Sequence, residues 1–80
     1  MLVQEAVRTR IFQLCEERRI TINKLATQSG MTQSTLNNIV SGRNHSTTVS
    51  TIQKLCDGLN ITIADFFCCD LFRNLEQELQ

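Results

Sequence analysis

Eighty residues give room for one small domain with a single core and a surface function, and little room for a core, a deep cleft and a lid together. Hydrophobic residues at 41%, no proline, three glycines and no low-complexity run exclude a disordered tail or linker, and no apolar stretch is long enough to span a bilayer. Net charge is zero, which excludes a uniformly basic nucleic-acid binder but leaves room for a local basic face.

The first segment carries Val3, Val7, Ile11, Leu14 and Cys15 at steps of three and four with Glu and Arg between them, which predicts an amphipathic helix ending near Arg19. Its opening, MLVQEAVRTR, lacks the apolar core of a signal peptide, so a cytoplasmic protein is expected. Thr21 is placed to cap a second, short helix containing Leu25 and Ala26, and Gly30 follows where a left-handed residue would stop it. Thr32 caps a third helix, which Gly42 ends in the same way, so a turn of about three residues separates two short helices. In TTVSTIQKLCDGL, Val49, Ile52, Leu55, Cys56 and Leu59 keep a helical repeat despite the β-branched start, and a fourth helix is expected. Thr62 and Asp65 form a capping-box pattern that opens a fifth helix with Ile63, Phe66, Phe67 and Leu71 on its inner face. No segment alternates with strand period for long enough to build a sheet, so the fold is expected to be all-α. Phe72, Leu75 and Leu79 continue the apolar spacing through LEQEL, as a helical extension over 69–80 that either buries itself in this domain or faces another subunit as a dimer interface.

Four cysteines, Cys15, Cys56, Cys68 and Cys69, form no CxxC or CxxxH pair. Cys15 and Cys56 fall on apolar helical positions where cysteine behaves as a small hydrophobe, and the adjacent Cys68 and Cys69 cannot easily chelate one ion together. Reduced structural thiols are expected, with no metal and no cofactor. One histidine, no Ser/His/acid arrangement and no glycine-rich phosphate loop leave no reaction to assign, and the chain is not expected to be an enzyme.

Within GMTQSTLNNIVSGR, Leu36, Ile39 and Val40 are apolar at helical spacing, while most of the other positions are hydroxyls and amides rather than good helix formers. The same stretch lies inside an acid-free window: Arg18 to Cys56 holds Arg18, Arg19, Lys24, Arg43 and Lys54, with His45 beside them, whereas Met1 to Glu17 sums to minus one and Asp57 to Gln80 to minus four. Two short helices joined by a tight turn, the second bearing exposed polar groups, have the form of a helix-turn-helix, whose second helix lies in the DNA major groove. Amides and hydroxyls suit that place because they donate and accept at fixed geometry against base edges.

Over roughly residues 5 to 68 the chain resembles the lambda-repressor-like, Cro/C1-type (XRE) helix-turn-helix regulators, on INKLATQSGMTQSTLNNIVSGR followed by TVSTIQKLCDGLNITIADFF. The resemblance implies a compact five-helix domain, here one domain over residues 1–80, that binds double-stranded operator DNA as a two-fold homodimer and represses transcription in bacteria or their phages. Carried over by position, Gln33, Ser34, Thr35, Asn37 and Asn38 would face the bases, with Gln33 and Asn38 foremost. Thr21, Asn23, Lys24, Thr32, Arg43, Asn44 and His45 would meet phosphates and set register. The chain departs from the family's pattern at Thr47, where a proline is frequent, and at Val40, where relatives hold an acid that pairs with a basic residue of the first helix; Arg10 is therefore expected to be exposed or to find another acid. A rival expectation is a protein-binding module, antitoxin-like or a phage adaptor, that uses the same fold and its apolar tail. No membrane or small-molecule partner is expected.

Overall fold

The computed structural model describes residues 1–42 and 47–75. Among these residues five α-helices follow one another, α1 (Val3–Arg18), α2 (Ile22–Gln28), α3 (Gln33–Val40), α4 (Val49–Leu59) and α5 (Ile63–Phe67), and a 3-10 turn, Asp70–Phe72, comes after them. The described residues hold no strand, so the chain is all-α as its periodicity predicts.

Four of the five helices begin on a threonine. The hydroxyls of Thr21, Thr32, Thr48 and Thr62 accept the backbone N–H groups of Lys24 (3.0 Å), Thr35 (3.2 Å), Thr51 (3.1 Å) and Asp65 (3.0 Å), each satisfying a donor that the first helical turn leaves free. At α5 the arrangement is reciprocal, because the Thr62 N–H donates to Asp65 Oδ2 at 3.3 Å and completes the predicted capping box.

The helix ends repeat one device. Arg19, Gly30 and Asn60 take left-handed φ values of 54°, 72° and 58°. Beyond them the N–H groups of Ile20, Met31 and Ile61 reach back to the carbonyls of Cys15 (3.0 Å), Ala26 (3.1 Å) and Cys56 (3.0 Å), the long bond of a Schellman ending. Each of those three following residues is an apolar side chain packed on the core. The hydrogen bond and the apolar contact together hold the exit direction of α1, α2 and α4.

The core gathers Val7, Ile11, Leu14 and Cys15 from α1, Leu25 and Ala26 from α2, Leu36 and Ile39 from α3, Ile52, Leu55, Cys56 and Leu59 from α4, and Phe66 from α5. No polar or charged residue is buried with them among the described residues. Ala26 is fully buried, as its small size at the α2–α3 crossing predicts. Where α4 meets the end of α2, Gly58 does the same service: a Cβ there would stand 3.0 Å from the backbone N and Cα of Ser29 and would collide with its hydroxyl.

Two expectations are corrected. The fifth helix stops at Phe67, and Leu71 lies in the 3-10 turn, because Cys68 (φ −83°, ψ 70°) leaves the helical region and Cys69 is extended. Arg10 neither stands free nor meets an acid: its Nε donates to the Phe66 carbonyl (2.7 Å) and its terminal Nη2 to that of Asp65 (2.8 Å), closing the C-terminal end of α5 from α1. Arg18 performs the same task for α4, donating to the Leu59 carbonyl at 2.7 Å. Both put a cation at the negative end of a helix dipole.

Candidate nucleic-acid interface

α3 gives the core Leu36 and Ile39, three residues apart, and this fixes what its other faces can do. Gln33, Ser34, Thr35 and Asn37 are exposed and Asn38 is half-buried. On a helix with 3.6 residues per turn, Ser34, Asn37 and Asn38 lie on the side away from Leu36 and Ile39, with Gln33 at the N-terminal edge of that side. Gln33 makes no hydrogen bond to any described residue, so its amide is available to a ligand. The Thr35 hydroxyl is turned toward the start of its own helix, sharing a hydrogen bond with Thr32 Oγ1 at 2.7 Å, and the Ser34 hydroxyl is 3.4 Å from the same oxygen.

α2 and α3 are locked across the turn. Gly30 supplies the left-handed residue, Met31 packs on the core as the plug of the turn, and the Asn37 amide of α3 donates to Asn23 Oδ1 of α2 at 3.3 Å. The structure thus joins a residue expected at the bases to one expected at the backbone, and places the start of α2 beside the middle of α3. Thr21, Asn23 and Lys24 are exposed at that start, and Thr32 is exposed at the start of α3. Lys24 is the one formal charge on these two helices. With no carboxylate on either, nothing on the pair repels a phosphate.

Arg43, Asn44, His45 and Leu79 lie outside the described residues. Phe72 and Leu75 are half-buried. The Phe72 ring joins an aromatic group within this chain, edge-on to Phe67 at 4.8 Å between centroids and 6.3 Å from Phe66, while Phe66 and Phe67 pack edge to face at 5.0 Å. A shallow cleft lined by Arg10, Gln13, Glu16, Glu17 and Cys69 shares no residue with the outer side of α3. Among the described residues no cluster of three or more His, Cys, Asp or Glu is arranged to hold a metal ion, and no helix is long and apolar enough to cross a membrane. All four thiols are free: Cys15 and Cys56 are buried, Cys69 is half-buried, and Cys68 is exposed. Burial pushes the Cys15 thiol above the ordinary thiol range, and burial followed by the carboxylates of Asp57 and Asp65 does the same to Cys56.

Two contacts of this surface join parts of the chain that are distant in sequence. Gly42, at φ 84° just past α3, lies against the guanidinium of Arg8 from α1, and Gln4 Nε2 of α1 donates to Thr47 Oγ1 at 2.8 Å. Both contacts cross more than thirty positions of sequence and have no local signal.

The family described as the Cro/C1-type HTH DNA-binding domain matches the chain over residues 10–70, which takes in α2, α3, α4, α5 and most of α1. No curated protein and no solved structure matches it.

Proposed function

Because the chain belongs to the Cro/C1-type helix-turn-helix DNA-binding domains, we propose that it is a sequence-specific regulator of transcription, a repressor, that seats α3 in the major groove of its operator. The observation that carries this reading is the outer side of α3. Gln33, Ser34, Asn37 and Asn38 stand there on a helix whose buried contacts come from Leu36 and Ile39, with Val40 packed beside them, so apart from the Asn37–Asn23 bond their amides and hydroxyls contribute little to holding the fold. Gln and Asn side chains pair in two-pronged fashion with adenine edges, and this is the use that best accounts for them.

Around these base contacts, Thr21, Asn23, Lys24 and Thr32 fix the register on the phosphate backbone, and Arg43, Asn44 and His45 continue that contact past the end of α3. The Thr35 hydroxyl, engaged at its own N-cap, plays the lesser part in base reading. The protein binds a palindromic site as a homodimer, with half-sites about 34 Å apart, one turn of DNA. The tail supplies the pairing surface through Leu75, Leu79 and the part of Phe72 that its ring cluster leaves open.

Selection of duplexes from a random DNA pool, at low and at moderate salt, with wild type beside Gln33→Ala, tests this. The expected result is an enriched palindrome whose specificity blurs at one or two base pairs in the variant, at a cost of roughly 1–3 kcal/mol. Equal weakening on all sequences would remove Gln33 from the base-reading set. If no motif emerges and binding does not vary with salt, DNA reading is wrong and the fold serves as a protein-binding module, because apolar contacts lack the steep ionic-strength dependence of phosphate neutralisation.

A further inference from the structure

We propose that Arg8 of α1 is a further phosphate-binding cation, delivered by the packing of α1 to the C-terminal end of α3; the proposal rests on the DNA-binding reading above.

α1 carries three arginines, and two are spent inside the fold. Arg10 closes the carbonyl end of α5 and Arg18 that of α4. Arg8 has no hydrogen bond or ion pair with any described residue, although it is half-buried. Its Nη1 lies 2.7 Å from where a Cβ would stand on Gly42, so the guanidinium fills the space that glycine leaves open just past α3. Its acidic neighbour one turn back, Glu5, is engaged elsewhere and accepts the Leu2 N–H at 3.2 Å. A partly desolvated cation with no anion in contact is costly, and an incoming phosphate relieves that cost.

The placement is held from a second point. Gln4, one turn before Arg8 on the same face of α1, donates to Thr47. α1 therefore touches the chain on both sides of residues 43–46, at Gly42 and at Thr47. Arg8 is thus carried on a long, well-packed helix rather than on a loop, with a planar fork of donors suited to phosphate oxygens. Charge counting along the sequence misses it, because Arg8 belongs to an N-terminal stretch of net charge minus one and reaches α3 only through the fold.

The test is a salt titration of affinity, by fluorescence anisotropy, with the full chain on a random-sequence duplex and on the selected operator. Wild type is compared with Arg8→Gln, Arg8→Lys and Arg8→Met, the last keeping the aliphatic stem. Arg8→Gln and Arg8→Met are expected to weaken all sequences alike and to lower the slope of log affinity against log salt by about one for each bound protomer, while Arg8→Lys keeps the slope. Thermal melting identifies which variants are folded. An unchanged slope in a folded Arg8→Gln or Arg8→Met overturns the proposal, even if affinity falls, since that loss would come from loosened packing at the end of α3. A wild-type chain with no salt-dependent binding to any duplex overturns the DNA-binding reading itself, and this inference with it.

Discussion

Ser29 is the residue where the packing is least settled. Its Oγ is buried without a hydrogen-bond partner, directly beneath Gly58 of α4. An unsatisfied buried hydroxyl costs about 1–3 kcal/mol, so Ser29→Ala is expected to raise stability by about 1 kcal/mol, read as a higher urea midpoint with an unchanged slope. Gly58→Ala is expected to act the other way. Alanine would gain about 1 kcal/mol of helix propensity, but a Cβ 3.0 Å from the Ser29 backbone forces the two helices apart, and overpacking of that kind costs about 1–3 kcal/mol. The net loss is checked on the same urea curves. Neither effect was legible in the sequence, where Gly58 reads only as a residue near a helix end. Close approach of two backbones is a property of the pair, and the two residues stand far apart in the chain.

At the scale of the elements, local chemistry was the legible part. Thr21, Thr32 and Thr62 cap as their positions predict, Gly30 is left-handed, and Leu36 and Ile39 face inward, because each of these depends on neighbours within one turn. The end of α5 was not legible: no glycine or proline marks it, and the chain leaves the helix at Cys68. The partners of Arg10 and Arg18 were not legible either, since carbonyls at a helix end attract any nearby cation and the sequence does not say which helix end comes near. That contact gives a prediction. Arg10→Gln removes two hydrogen bonds from a charged donor to the last carbonyls of α5, and a loss of about 2 kcal/mol is expected in denaturant unfolding. Hydrogen exchange should show the amides of α5 opening more readily than those of α2 and α3, whose hydrogen bonds do not involve Arg10. Uniform loosening of all helices would contradict so local a role.

For the whole molecule, the buried thiols set an alkaline limit. Cys15 and Cys56 hold their protons more tightly folded than unfolded. Below the ordinary thiol range both states are protonated and stability is unaffected. As the pH rises through that range the unfolded chain releases protons that the folded chain retains, so stability falls with increasing pH. Unfolding free energies measured from neutral to alkaline pH should show this decline, and the double variant Cys15→Ala with Cys56→Ala should flatten it from a lower starting stability. In the native protein a thiol-alkylating reagent is expected to modify the exposed Cys68 before Cys15 or Cys56, which are shielded and protonated.

The division of labour within α3 bears on descent. Leu36 and Ile39 hold the helix in place, while Gln33, Ser34, Asn37 and Asn38 stand on its other sides. Single replacements at Gln33 and Ser34, which are exposed and bond to no other helix, leave the core side chains in place, so a chain carrying this fold can present new surfaces on α3 one mutation at a time. Within the same eight residues, a change on the inner side is therefore felt by the fold and a change on the outer side by whatever the helix meets.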